Sequence, residues 1–283
     1  MRHIESIAEL RAAIATARAE RERIGFVPTM GFLHEGHLRL VDEAKRDSGC
    51  VVMSLFVNPT QFGPNEDFAR YPRDASGDAA KAEGRGVDLL FLPHVSDMYP
   101  TPASLHVVAD DLPDRWEGEI RPGHFRGVLT VVAKLFNIVA PDVAVFGRKD
   151  FQQATLIRRM VHELNFPIEL VVAPTVRESD GLALSSRNTY LDASARVNAL
   201  ALVKSLRAAA AAFAAGERSG ARLTGVGRDA LAAYPDVRVD YFALVDPHEM
   251  KPVATASADS VAIVAARVGA TRLIDNMVLG EAE

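Results

Sequence analysis

Cysteine is almost missing from this chain: of its 283 residues only Cys50 carries a thiol. An intrachain disulfide is therefore excluded, and the usage fits a reducing compartment. Cys50 opens the apolar run Val51-Val52-Met53-Ser54-Leu55-Phe56-Val57, the setting of a buried, inert thiol rather than of a nucleophile. Long apolar runs are missing as well, and none approaches the ~20 residues that a membrane-crossing helix needs. Met1-Arg2-His3-Ile4-Glu5 lacks the apolar centre of a signal peptide, so the expected location is cytoplasmic. A basic excess is also lacking. The 32 Lys and Arg stand against 37 Asp and Glu, a formal charge of −5, which argues against a nucleic-acid surface. No internal repeat or low-complexity linker interrupts the chain. What is present is 48% hydrophobic and 24% charged residues. That balance excludes disorder and supplies a sizeable core, in one large or two ordinary domains.

The stretch that carries the most chemistry is Ile24-Gly25-Phe26-Val27-Pro28-Thr29-Met30-Gly31-Phe32-Leu33-His34-Glu35-Gly36-His37. Residues 24–27 predict a short buried strand, which Pro28 should end because it cannot donate to a ladder. Thr29, Met30 and Gly31 predict a turn, and a helix should begin near Glu35 and run on through Leu38, Leu40 and Val41. A strand, a turn and a helix in that order aim backbone N–H groups and a helix N-terminus at one spot, which suits a phosphate. His34 and His37, three apart at the helix start, can face that spot together, and Gly36 leaves room for a ligand against the backbone. Capping or solvation would account for either histidine alone. A metal pair is a further reading, but the zinc motif His-Glu-x-x-His needs i, i+4 spacing. No protein metal site is expected here.

Further along, residues 4–20 predict an amphipathic helix from Ile4, Ile7, Leu10, Ala13, Ile14 and Ala17. Strands are expected over 50–57, 87–92, 143–146 and 168–173, alternating with helices, and a short edge strand over 105–108. That alternation predicts an α/β class with a Rossmann-like parallel sheet. Polar residues at the carboxyl ends of such strands are ligand candidates. Asn58 and Gln61 follow the second strand. Lys149 follows the strand over 143–146, where the next helix start already favours anions, and Gln153 stands one turn on. Residues 63–74 form a polar connection, either a surface loop or a mobile lid. Arg121-Pro122-Gly123-His124-Phe125-Arg126-Gly127 admits two readings, another anion site or a simple turn before a helix. Ser185, Ser186 and Arg187 join hydroxyl donors to a fork-shaped cation, as an oxyanion cradle requires. Beyond Asn188 come two helices, over 193–215 and 222–233, and three strands, over 237–245, 261–268 and 271–279. The expected domains are residues 1–175, Rossmann-like, and 176–283, a smaller α+β domain carrying the Ser-Ser-Arg loop.

The His-Glu-Gly-His opening of the first helix is similar to the His-x-Gly-His element of nucleotidylyltransferases and class I aminoacyl-tRNA synthetases. There the imidazoles contact ATP phosphates. Ser185-Ser186-Arg187 resembles the second phosphate loop of the same superfamily. The longer strings "PTMGFLHEGH", "FVNPTQFGPNEDFARYPR", "RPGHFRGVLTVVAKLFNIVAPDVAVFGRKDFQQ", "DGLALSSRN" and "ATRLIDN" resemble the pantoate–β-alanine ligase family, in order and over nearly the whole chain. Leu184 stands where that family usually has Met, a swap that roughly conserves volume. Arg148 stands where it often has Glu, which changes one local charge.

The resemblance implies ATP, pantoate and β-alanine as substrates, Mg²⁺ carried with ATP, a cytoplasmic location and a homodimer, with no nucleic-acid or membrane partner. It places His34, His37, Lys149, Ser185, Ser186 and Arg187 on the triphosphate, with Gly31, Gly36 and Leu184 also in the ATP site. Gly147 and Asp150 meet the ribose, and the backbone of Val176 meets the adenine. Gln61, Gln153 and Asn58 hold pantoate, with Met30 as an apolar wall beside both substrates. His37, Lys149, His34 and Arg187 are the implied catalytic groups, and His37 the proton donor, a role open to an imidazole with an ordinary pKa of about 6.5. Two other activities stay open: a nucleotidylyltransferase acting on a phosphorylated acceptor, and a tRNA-binding module. The first needs a cationic acceptor pocket in place of the amides, the second a basic face.

Overall fold

The computed structural model describes residues 1–64, 66–101 and 103–281. The chain divides into two compact units, Met1–Arg148 with Gln152–Pro174, and Lys149–Phe151 with Thr175–Glu283.

The first unit is built on strands β1 (Arg2–Ile4), β2 (Ile24–Thr29), β3 (Cys50–Leu55), β4 (Leu89–Phe91), β5 (Val143–Gly147) and β6 (Glu169–Ala173). They form one parallel sheet in the order β1-β4-β3-β2-β5-β6. Its helices are α1 (Ile7–Ala19), α2 (Glu35–Arg46), α3 (Ala75–Arg85), α4 (Val95–Met98), α5 (Glu117–Ile120), α6 (His124–Val139) and all but the first residue of α7 (Phe151–Glu163). On one face, Val27, Met53, Leu90 and Val145 pack with Leu40, Val41 and Ala44 of α2 and Ala82 of α3. From β2 the chain winds one way to β3 and β4, and β5 lies on the other side of β2. The sheet order therefore reverses between β2 and β5, and ligands of open α/β sheets collect at the carboxyl ends beside such a reversal. The two ends meeting there are Thr29 and Gly147.

Three expectations for this unit are corrected. Pro28 does not end β2, which runs to Thr29 with Pro28 opposite Ser54. Thr29 O accepts from Phe56 N at 3.0 Å, so Thr29 faces β3 and Pro28 faces the β5 side. Pairing with β5 stops at Phe26, so the missing donor is not needed. The helix expected over 4–20 starts only at Ile7, because the Ser6 hydroxyl caps it by accepting from Glu9 N at 3.2 Å. Arg2–Ile4 instead adds a sixth strand, with Ile4 fully buried. Residues 105–108 form no strand, and Leu105 and Val108 stand exposed at 80% and 65%.

The second unit holds α8 (Ala193–Ala214), α9 (Gly220–Ala232) and the antiparallel sheet β7 (Val237–Val245), β8 (Val261–Val268), β9 (Thr271–Val278), in that order. Leu202, Leu206, Ala209 and Phe213 of α8 and Leu223 and Leu231 of α9 form a core with Phe242, Leu244, Val264 and Leu273. By length and composition alone α8 could cross a membrane. Alanine supplies that apolarity, and the face carrying Leu202 and Leu206 belongs to this core. The α/β class with a Rossmann-like parallel sheet and a smaller α+β part is the fold observed.

Candidate active site

In the first unit the site is the turn between β2 and α2. Thr29 Oγ1 donates to Ser54 O at 2.9 Å, and Gly31 N donates back to Thr29 Oγ1 at 3.2 Å. Gly31 takes φ +86°, a conformation that an L side chain resists. Next, the buried Asp78 of α3 accepts from Phe32 N and Leu33 N, both at 2.6 Å, and Lys81 Nζ donates to Leu33 O at 2.9 Å. These turn N–H groups, expected to face an anion, are committed to Asp78. What remains for a ligand is the helix start itself. His34 is the N-cap of α2 and His37 its third residue. The rings stack with centroids 4.0 Å apart and 27° between planes. His34 N donates to His37 Nδ1 at 3.4 Å, so a neutral His37 carries its proton on Nε2.

Beside this turn lies a group of buried amides. Asn58 Nδ2 donates to Gln61 Oε1 at 2.9 Å and to Gly127 O at 3.2 Å. Its Oδ1 accepts from Tyr99 OH at 2.8 Å and from Thr60 Oγ1 at 2.9 Å. Asn58 is thus spent on orienting Gln61, which carries the open valences: Gln61 Nε2 donates to Met30 Sδ at 3.2 Å, a weak acceptor. The Gln61 amide is therefore joined to the phosphate-type turn through Met30. The close approach of α6 depends on Gly127, where a Cβ would stand 2.4 Å from Thr60 O. Gln153, on α7, is half-buried and meets no hydrogen-bond partner among the described residues. Its neighbour Gln152 is spent internally on Leu112 O and Arg115 O, both at 2.9 Å.

The Arg121–Gly127 segment is an internal clamp rather than an anion site. Arg121 pairs with Glu66 at 2.6 Å, and this contact also tethers residues 63–74, of which Asn65 lies outside the described residues. His124 Nδ1 donates to Gln61 O at 2.8 Å, and its Nε2 accepts from Arg121 Nη1 at 3.1 Å. The second bond requires a neutral ring. Burial, and then the Arg121 charge, push the His124 pKa down to about 4. The unfolded chain, with an ordinary His near 6.5, therefore binds more protons between those values. This contribution to stability is complete above pH 6.5 and is lost as pH falls toward 4, on the order of 3 kcal/mol in all. Urea unfolding at pH 7.5 and 5 should show that decline in the parent. A His124→Gln variant should show a smaller one, and equal slopes would refute a buried neutral His124.

In the second unit, residues 176–184 fold back on themselves. Leu184 N donates to Val176 O at 3.0 Å and Glu178 N to Leu182 O at 2.8 Å. Ser185 Oγ accepts from Arg187 N at 3.3 Å, which leaves its hydroxyl hydrogen to donate. Ser186 is buried and Arg187 half-buried. Arg196 braces the far side through Glu178 at 2.6 Å and Asp180 at 2.7 Å. Lys149 and Asp150 belong to this unit, while Gly147 ends β5 of the first. Cys50 is inert as expected: burial pushes its thiol up to about 11. Sequence patterns missed Asp78, Arg121, His124, Arg177 and Asp275 as organising residues, since their partners lie far away in the chain.

The family model for pantoate-beta-alanine ligase matches residues 2–278. A protein of Acidobacterium capsulatum named pantothenate synthetase is 54% identical, over 99% of this chain and 98% of its own. A crystal structure of pantothenate synthetase from Thermus thermophilus is similar with a TM-score of 0.94 and 50% identity, covering 99% of both chains. A pantoate-beta-alanine ligase from Francisella tularensis, solved in complex with beta-gamma ATP and beta-alanine, has a TM-score of 0.81 and 31% identity, covering 100% of this chain and 99% of its own.

Proposed function

The chain belongs to the pantoate-beta-alanine ligase family, and on that premise we propose that it joins pantoate to β-alanine at the expense of ATP. A pantoate carboxylate oxygen attacks the α-phosphorus, the bond to the bridging oxygen breaks, and pyrophosphate leaves. The amine of β-alanine then attacks the carbonyl carbon of the pantoyl-adenylate. The bond to AMP breaks, the amide forms, and the nitrogen gives up its proton. The mixed anhydride is already activated, so no covalent enzyme intermediate is needed. The protein supplies positioning and charge stabilisation.

The observation that carries this reading is the junction at Met30. It lies between a helix start bearing two stacked imidazoles and a buried amide held 3.2 Å from its sulfur. That junction supports a phosphate end and an acid end side by side, as adenylation of a carboxylate requires. In this reading His34 and His37 hold phosphate oxygens and Gly36 gives them room. Gln61 and Gln153 grip pantoate against Met30, oriented by Asn58. In the second unit, Lys149, Ser185, Ser186 and Arg187 answer the charge of the triphosphate. Asp150 serves the ribose, and Val176 and Leu184 serve the adenine. Mg²⁺ comes with the ATP. The ion would be held by the phosphate oxygens of that ATP and by water. When bound, it neutralises phosphate charge. The reading includes a homodimer in the cytoplasm, where the single buried thiol would stay reduced.

The test is the order of events. Given pantoate, Mg²⁺ and ATP but no β-alanine, the enzyme should exchange labelled pyrophosphate into ATP, because the adenylate forms before any amine arrives. The adenylate must be kept from water meanwhile, a task for residues 63–74. Exchange that requires β-alanine would mean a concerted reaction. Exchange with a phosphorylated acceptor in place of pantoate would mean a nucleotidylyltransferase.

A further inference from the structure

Asp275 and Asn276 stand side by side on β9, 4% and 3% exposed, and the reading above gives neither a substrate. Each reaches a different segment of the second unit. Asp275 Oδ2 accepts from Arg177 Nη1 at 2.7 Å. Asn276 Nδ2 donates to Lys149 O at 2.9 Å, so the amide holds the backbone from which the lysine projects. Arg177 extends the first contact. Its Nη1 also donates to Gly181 O at 3.3 Å, and its Nη2 donates to Asn276 O at 3.2 Å. One guanidinium therefore ties the base of the 176–184 fold to its turn, and both to β9.

Stability alone is a poor reason for such a pair. Burial pushes the Asp275 carboxyl above the usual carboxylate range, and the Arg177 charge, the Asn276 N–H and the field of Lys149 only oppose that. Apolar side chains of similar volume are often as stable as a buried ion pair. What they lack is direction.

We infer that Asp275 and Asn276 are positioning residues for the phosphate-handling groups of the second unit. Asp275, through Arg177, sets the fold that leads into Ser185, Ser186 and Arg187, and Asn276 sets Lys149. The inference rests on the proposed roles of Lys149 and Arg187 in adenylation, and the experiment separates the two. Pantoate-dependent pyrophosphate exchange is measured for Asn276→Ala, for the double variant Asp275→Leu with Arg177→Met, and for Lys149→Ala. ATP and pantoate are varied in turn, and each variant is melted thermally. A misplaced phosphate group should cost roughly tenfold in exchange. KM for ATP should rise and KM for pantoate stay unchanged, and the double variant should melt no lower than the parent. A merely structural role would instead move the melting temperature and leave exchange in a well-folded double variant intact. If both variants stay within about twofold of the parent while Lys149→Ala is slow, the inference is overturned and the role of Lys149 stands. If Lys149→Ala also keeps the parent rate, both are overturned. Should the double variant not fold, Asn276→Ala alone carries the same outcomes.

Discussion

A His37→Ala variant is expected to exchange pyrophosphate into ATP at least about tenfold more slowly than the parent, since a positioned acid, base or charge contributes ~10²–10⁴. The loss should be chemical rather than structural. The first turn of α2 is held by backbone bonds that alanine keeps, His37 N to His34 O at 2.9 Å and Leu38 N to His34 O at 3.2 Å. The imidazole supplies something else. With Nδ1 accepting from His34 N, the neutral ring carries its proton on Nε2, at a helix N-terminus where a phosphate already gains from the helix dipole. Alanine removes the donor and the partner on which His34 stacks. Exchange at saturating ATP and pantoate, with a melt as control, measures the effect. The parent rate in a folded His37→Ala protein would remove His37 from the mechanism.

The parts of this arrangement that read from sequence are those made by local pattern. Alternating buried and turn-forming stretches place β3, β5 and the whole of α8 to β9, because each spans enough residues for its period to show. Strand β1 does not read, because three residues show no period and Ile4 is the residue that a helix would also supply. Pro28 misleads because its cost depends on which neighbour it faces, and that is a property of the sheet. Asn58 and Gln61 read as candidates from their place after a strand, but their unlike roles do not. One is committed to four partners and the other keeps a free valence, which only the approach of Tyr99 and Gly127 decides. His124 and Arg121 stay ambiguous until Glu66 and Gln61 O supply their partners. Asn276 lies 127 residues from Lys149, beyond any local signal.

Gln61→Ala should weaken pantoate far more than ATP. Gln61 is 8% exposed, with Oε1 engaged by Asn58 and one Nε2 hydrogen spent on the weak sulfur acceptor of Met30. The other Nε2 hydrogen and the second lone pair of Oε1 remain for the acid. Truncation strips those from pantoate and takes one acceptor from Asn58 Nδ2. Leaving buried polar groups unpaired costs about 1–3 kcal/mol, or roughly tenfold to a hundredfold in Kd. The pocket should otherwise keep its shape, because the anchor from His124 Nδ1 ends on the backbone carbonyl of residue 61, which alanine retains. Asn58→Ala should act on the same bond through the loss of orientation. The double variant should then lose less than the sum of the singles, as coupled neighbours do. Titration calorimetry with each substrate decides the matter: a pantoate Kd that rises at least about tenfold beside a steady ATP Kd places Gln61 on the acid. An equal rise in both Kd values would move it to the nucleotide, and full additivity with Asn58→Ala would separate the two amides.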